Sequence, residues 1–155
     1  MKIKKLVAFV VVAILAAACS KHDESGAVVH GVAIGSLHSG TTMQQIVAEF
    51  GQPEMAMTNS GIIIMARYQK QGLGFLAPEG VVCTFTVSPP CTQQTKEGIG
   101  IGSSRAAVIK AYGEPMSTKA TATNCEVLAY QRLGFVCELT DGKVDSMTIV
   151  FETVK

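Results

Sequence analysis

The hydrophobic and polar positions of the chain follow the same order twice. Residues 40–53 and 102–115 each place apolar residues at helical spacing, begin with hydroxyl residues after a glycine, and end in Gly-x-Pro. The apolar stripes are Ile46, Val47 and Phe50 in the first stretch and Val108, Ile109 and Tyr112 in the second. Thr42 and Gln45 also fit a capping box. The pattern predicts two short amphipathic helices, each stopped by its glycine and proline.

Each predicted helix is followed by three apolar, β-branched segments that predict strands. They are residues 62–69, 73–77 and 81–87 in the first half, and residues 125–131, 133–139 and 144–152 in the second. Turn signals accompany them, among them Asn59-Ser60-Gly61 and Thr140-Asp141-Gly142. The stretches 53–60 and 116–124 are predicted loops. Each half is therefore expected to be a short helix followed by a three-stranded antiparallel meander.

The two halves also match residue by residue. Tyr68 corresponds to Tyr130 and Gly80 to Gly142, each 62 positions apart, and Leu73-Gly-Phe matches Leu133-Gly-Phe with a two-residue slip. One short helix with three strands buries too little apolar area to be stable alone. The sequence thus predicts an α+β fold of two pseudo-symmetric repeats that cover each other. The expected boundaries are 31–90 for repeat 1, 91–98 for a linker and 99–155 for repeat 2.

The first 30 residues carry the pattern of an export signal. Lysines at positions 2, 4 and 5 precede an apolar run of about 13 residues, which is too short to cross a bilayer but suits a signal peptide. The three alanines before Cys19 resemble the cleavage site of bacterial lipoproteins. We therefore expect a lipoprotein signal peptide at 1–18, a lipidated Cys19 and a tether at 19–30. Ordinary secretion is the alternative.

Ser20, which follows the cysteine, resembles the sorting signal of bacterial lipoproteins for the outer membrane, in which an aspartate would imply retention in the inner membrane. The expected location is the cell envelope, with the protein anchored by lipid in the outer membrane and facing the periplasm. A secreted or soluble periplasmic protein is the alternative.

Charge and motifs narrow the function classes. The whole chain has a net charge of +1; without residues 1–18 it has 10 Lys+Arg (13 − 3) against 12 Asp+Glu, a net charge of −2. A nucleic-acid partner needs a basic face, which this composition does not supply.

The sequence has no Gly-x-Ser-x-Gly or Walker A motif and no paired acids of the glycosidase kind. His30 and His38 have no Ser or Cys nucleophile in a familiar arrangement, so we expect a protein that is not an enzyme and has no cofactor.

The four cysteines after Cys19 form an even set, which in an oxidising compartment predicts disulfide bonds. Three pairings are formally possible. Cys83–Cys91 and Cys125–Cys137 are favoured because each closes a short loop within its own half. No Cys-x-x-Cys spacing occurs, which disfavours zinc and thioredoxin-like sites.

Met55 and Met57 form a thioether pair of the kind that binds copper(I). Met43, Met65 and the two histidines can in principle complete such a site. The alternative is that Met55 and Met57 pack over the helix end or lie on a recognition surface.

Tyr68, Phe75, Tyr130 and Phe135 are aromatic residues at corresponding places in the two halves. They are expected in the core or, if they lie on an uncovered sheet face, as anchors of a protein interface. An alanine variant that loses stability indicates the core, and one that loses only partner binding indicates an interface.

Residues 99–115, followed by a strand ending in tyrosine and a hairpin with Asp-Gly, resemble two known groups. One is the BamE (SmpA/OmlA) family of outer-membrane lipoproteins, which carry one such repeat. The other is the β-lactamase inhibitory protein, which carries two. The resemblance covers nearly all of residues 31–155 and implies a non-enzymatic envelope lipoprotein that binds another envelope protein, in outer-membrane assembly or maintenance. The alternative that it implies is an inhibitor of a periplasmic or extracellular enzyme.

Overall fold

The structure, a computed structural model, describes residues 37–151 of the chain. The predicted signal peptide at 1–18, the predicted lipidation site Cys19, the tether at 19–30 and His30 lie outside the described residues. Within the described range, no helix is both long and apolar enough to cross a membrane.

Two helices form where the apolar stripes predict them. Helix α1 (Met43–Phe50) begins at Thr42, whose side chain accepts a hydrogen bond from the Gln45 N–H while the Gln45 side chain accepts one from the Thr42 N–H, as the capping box requires. Helix α2 (Arg105–Tyr112) is capped by the side chain of Ser104. Both helices end at the predicted glycine. The helix predictions are confirmed.

Eight strands form a single antiparallel sheet. They are β1 (Met55–Asn59), β2 (Ile62–Tyr68), β3 (Leu73–Leu76), β4 (Thr84–Val87), β5 (Ser117–Ala122), β6 (Cys125–Tyr130), β7 (Phe135–Thr140) and β8 (Lys143–Val150). Their order across the sheet is β1-β2-β3-β4-β8-β7-β6-β5. The predicted α+β class is confirmed.

The prediction of three strands after each helix was wrong, because each helix is followed by four. The additional strands, β1 and β5, lie in the stretches predicted to be loops at 53–60 and 116–124. They are the two edges of the sheet, and every residue in them is exposed. A strand with no buried face needs no alternation of apolar and polar residues, so the hydrophobic pattern did not indicate it.

The predicted turn signals are confirmed at two hairpins. Ser60 and Gly61, between β1 and β2, have φ angles of 50° and 80°, and Asp141 and Gly142, between β7 and β8, have φ angles of 52° and 71°. Positive φ at both central residues is the type I′ geometry, which suits the twist of the flanking strands. These two turns set the register of their hairpins.

The two halves of the chain join through the central strands β4 and β8. Phe85 stands opposite Ile149 and Val87 opposite Met147 in this pairing, and all four side chains are buried. Phe151 extends the contact by donating its N–H to the Cys83 carbonyl oxygen at 2.7 Å. The sheet is therefore continuous from one half to the other.

Both helices lie on one face of the sheet, here called the helix-covered face. The ring contacts are Phe50 with Tyr68 and Phe75, at centroid distances of 5.7 and 6.2 Å, and Tyr112 with Tyr130 and Phe135, at 5.8 and 5.0 Å. Ile46 of α1 and Val108 of α2 are fully buried beneath their helices. Burial of each such side chain contributes about 1.5–3 kcal/mol to folding. The core of the protein lies between this face and the helices.

Phe75 and Phe135 do not occupy corresponding places, contrary to the sequence match. Phe75 stands opposite Ala66 and Phe85, whereas Phe135 stands opposite Tyr130 and Ile149. The residue opposite Tyr68 is Leu73. The apparent match came from the shared letters Leu-Gly-Phe. In the strand pairing, the residue that corresponds to Leu73 is Phe135, whereas the second Leu-Gly-Phe begins two positions earlier, at Leu133.

Candidate functional site

The four aromatic residues considered as interface anchors belong to the core. Tyr68, Phe75, Tyr130 and Phe135 are at most 4% exposed and lie beneath α1 and α2. Burial raises the pKa of both tyrosine hydroxyls, with the Glu54 charge adding to the effect at Tyr68. An interface role for these four side chains is excluded by their burial, because a partner cannot reach them.

The predicted disulfide bonds are not formed in the structure. Cys137 points to the helix-covered face, while Cys125 lies on the opposite face, since Cys137 is paired with Leu128 and side chains alternate along β6. Cys83 immediately precedes β4 and Cys91 follows it by four residues, so the two lie at opposite ends of that strand. A disulfide requires Cα atoms within about 7 Å and facing side chains, and neither pair meets that geometry.

The other face of the sheet carries the alternate residues of each strand, and both described helices lie on the far side from it. We call it the uncovered face. Its side chains are Met55 and Met57 of β1, Met65 and Arg67 of β2, Leu76 of β3, Thr84 and Thr86 of β4, Ser146, Thr148 and Val150 of β8, Val136 and Glu138 of β7, Val127 and Ala129 of β6, and Ser117 and Lys119 of β5. Exposure rises from the centre, where Thr84 and Thr148 are buried, to the two edges.

Glu138 is a half-buried carboxylate within this face. Its Oε2 accepts a hydrogen bond from Ser146 Oγ at 3.0 Å, while its Oε1 is buried and has no hydrogen-bond partner among the described residues. Burial raises the pKa of Glu138, the Ser146 hydrogen bond opposes the shift, and the nearby Asp145 charge adds to it. An orphaned buried carboxylate oxygen destabilises a native state, so its presence requires an explanation.

Glu126 shows how the fold satisfies a carboxylate that has a structural role. It lies next to β7 on β6 but on the helix-covered face, where both of its oxygens are 3.2 Å from Arg105 Nε of α2. The ion pair joins the helix to the sheet. Because it is partly exposed, it contributes about 1 kcal/mol or less to the free energy of unfolding. Glu138 has no equivalent basic partner that the structure shows.

The copper candidates are only partly brought together. Met57 stands directly opposite Met65, and Met55, on the same face, stands opposite Arg67. Met43 is buried in the core, and His38 lies in the turn before α1, its Nδ1 2.8 Å from the Ser39 carbonyl oxygen. Within residues 37–151, no three His, Cys, Asp or Glu side chains are grouped so that they can hold a metal ion.

A cavity of about 250 Å³ lies beside the end of α1, between the β2–β3 turn and the segment after β4. It is lined by Phe50, Lys70, Gln71, Leu73, Pro90, Cys91, Thr92 and Gln93. Among the predicted site residues it contains only Cys91. The side chains that line this cavity do not form a set of charged or hydrogen-bonding groups that indicates a ligand.

Glu138 is the functional candidate that sequence reasoning missed. The signal was a single acid in the apolar run Phe135, Val136, Cys137, Leu139 of a predicted strand. An ionisable residue in such a run needs a partner, a solvent-facing position or a functional reason. The strand was predicted, but its two faces could not be told apart without knowing where the helices lie.

Comparisons of the chain with protein-family models, with curated proteins and with solved structures found no match.

Proposed function

We propose that this chain is a non-enzymatic protein-binding module of a bacterial envelope, and that it docks its partner on the uncovered face. The observation that carries the proposal is the unpartnered Oε1 of Glu138. The helix-covered face is occupied by the core. Within residues 37–151, the surface that the sheet offers to another protein is therefore the exposed part of the uncovered face, which lies towards its two edges, away from the buried Thr84 and Thr148. The expected lipid anchor at Cys19 holds this module at the membrane.

We further propose that the fold is a tandem duplication. The support is a set of contacts repeated at a spacing of 62 residues: Tyr68 to Gly51 and Tyr130 to Gly113 by hydroxyl–carbonyl hydrogen bonds, and Ser88 to Gly72 and Val150 to Gly134 by N–H–carbonyl hydrogen bonds. The strand order also runs from β1 to β4 and then back from β8 to β5. Two copies joined edge to edge make a sheet wide enough to present a large docking surface.

The partner is a protein that presents a lysine or arginine to Glu138. Glu138 is only half-buried, so its carboxylate can rotate about its terminal bond and bring Oε1 to the surface when a partner approaches. A cation placed there supplies the hydrogen bond that Oε1 lacks and offsets the combined charge of Glu138 and Asp145. Val127 of β6 stands opposite Glu138 on the same face and is half-buried, so the aliphatic stem of the basic side chain packs on its exposed part. The mature net charge of −2 also favours a basic partner surface.

Site-specific photocrosslinking in cells of the source organism tests the location of this surface. A photoreactive residue replaces the exposed Lys119 on the uncovered face or, as a matched control, the exposed Ala106 on α2. We expect one protein adduct from position 119 that is absent from position 106. Equal adducts from both positions, or an adduct only with this chain's own residues before position 37, contradict the proposal.

The identity of the adduct separates the two forms of the function. An outer-membrane assembly or maintenance component supports the envelope-module form. A periplasmic or extracellular enzyme whose activity falls when this protein binds supports the inhibitor form. Both forms require the same docking face.

A further inference from the structure

Three methionines lie together on the uncovered face at the β1 edge of the sheet. Met57 stands directly opposite Met65, and Met55 lies two residues before Met57 on the same side of β1. Directly opposite residues have Cβ atoms about 4.5–5.5 Å apart, and residues two apart along a strand are separated by about 6.6 Å. A methionine side chain spans such distances, so the three thioether sulfurs can reach one common point.

The fold does not require methionine at these positions. The β5–β6 hairpin has the same register over its first three pairs, and Lys119 stands opposite Val127 where Met57 stands opposite Met65. Met55 and Met57 are 53% and 54% exposed, so they contribute little to a core. An exposed edge strand is ordinarily protected by a charge, as Lys119 protects β5. Three thioethers at the other edge therefore point to a ligand.

We propose that Met55, Met57 and Met65 bind a monovalent soft cation, which in a cell is copper(I). Thioether sulfur is a soft, uncharged donor that selects copper(I) over zinc, magnesium and calcium. Three such donors supply a trigonal site. Thioethers, unlike thiols or imidazoles, lose no proton when they bind a metal, so the affinity is insensitive to pH between about 5 and 8.

The structure shows one contact that the cation replaces. Gln69 Nε2 lies 3.2 Å from the Met55 sulfur and donates a weak hydrogen bond to it. On binding, that sulfur turns from the amide to the metal. Both side chains are exposed at this edge, so the rearrangement involves no repacking of the core.

A silver(I) titration tests the site, because silver(I) shares the preference for thioethers and undergoes no redox change. The mature protein is labelled with carbon-13 at the methionine methyl groups, and its accessible thiols are alkylated first. We expect the Met55, Met57 and Met65 methyl resonances to shift together up to one equivalent, at pH 6 and pH 8 alike. Met116 is 56% exposed at the opposite edge of the sheet and should not shift. Equal shifts of all four exposed or half-buried methionines overturn the proposal.

Leucine variants give an independent readout with copper(I) against a competing chelator. Met57→Leu and Met65→Leu keep the side-chain size and remove the sulfur, so each should weaken binding about tenfold or more. Met116→Leu should bind as the wild type does. Wild-type affinity in Met57→Leu overturns the copper site, and if the same variant then binds the partner protein more weakly, the methionines serve protein recognition instead. Circular dichroism of each variant verifies that it is folded.

Discussion

The hydroxyl of Tyr68 donates a hydrogen bond of 2.8 Å to the carbonyl oxygen of Gly51, at the residue where α1 ends. The same bond, at 3.0 Å, joins Tyr130 to Gly113 at the end of α2. In each half, the side chain of a tyrosine in the sheet holds the C-terminal end of the helix that packs on that sheet. These tyrosines therefore set the distance between helix and sheet, which is a role in folding.

Replacing either tyrosine with phenylalanine should lower the free energy of unfolding by about 1 kcal/mol, because one hydrogen bond is lost while the ring stays in place. The double variant Tyr68→Phe with Tyr130→Phe should lose about twice as much, since the two sites share no contacts. Chemical denaturation measures both. Unchanged stability in either single variant contradicts the proposed role of that hydroxyl.

Alanine at Gly72 or Gly134 should be far more damaging than alanine at most turns. A Cβ at Gly72 overlaps the Ser88 carbonyl oxygen, and one at Gly134 overlaps the Val150 carbonyl oxygen, both of which are backbone atoms that cannot turn aside. We expect each variant to lose about 3 kcal/mol or more. Gly98→Ala is the control: it also has positive φ but no atom within 4 Å, so it should lose only about 1–2 kcal/mol. Equal losses at all three positions would show that the backbone contact is not the cause.

The cysteines should differ strongly in reactivity. Burial raises the pKa of the Cys137 thiol to about 12 from its ordinary 9.0, so at pH 8 its thiolate fraction is roughly a thousandfold below that of an ordinary thiol. Cys125 is half-buried on the uncovered face. Timed alkylation followed by mass spectrometry should therefore modify Cys125 first and Cys137 last in the folded protein. Recovery of a Cys125–Cys137 cross-linked peptide without reduction contradicts the register described above.

Glu138 should lower stability as the pH rises above its ordinary pKa of 4.5. Burial raises the pKa in the folded state, so between the unfolded and folded values the native state holds a proton that the unfolded state has released, and stability falls with increasing pH. Glu138→Gln removes this loss, so the variant should gain stability relative to wild type between pH 4 and pH 7. Glu126→Gln, which breaks the pair with Arg105, should instead lose stability at pH 7. Denaturation curves at the two pH values decide between these signs.

The sequence predicted the elements that bury an apolar stripe or carry an unambiguous turn. Ile46 and Val108 mark the helices, Thr42 and Gln45 mark a cap, and the strands from β2 to β4 and β6 to β8 have apolar runs. β1 and β5 were not predicted, because an exposed edge strand such as Ser117–Ala122 has no buried face and therefore no alternation of apolar and polar residues. The wider sheet also depends on the pairing of β4 with β8, a contact between residues at least 60 positions apart, which no local pattern contains.

The candidate site was harder than the fold to predict from the sequence, because its residues are defined by which side of each strand faces the helices. Tyr68 and Tyr130 were expected mainly in the core, but an interface stays open until α1 and α2 are placed above them. Glu126 and Glu138 lie on neighbouring strands but point to opposite faces; Glu126 is paired with Arg105, whereas Oε1 of Glu138 has no partner among the described residues. Met65 became relevant to Met57 only through the strand register.

The equilibrium dissociation constant of the cross-linked partner for wild type and Glu138→Gln, determined by calorimetry at pH 7, tests the central claim most directly. Loss of the buried charge opposite a lysine or arginine should weaken binding about tenfold to a thousandfold. Glu126→Gln, a matched change on the helix-covered face, should bind as wild type does. Equal affinity of wild type and Glu138→Gln would contradict the assignment of the uncovered face as the docking surface.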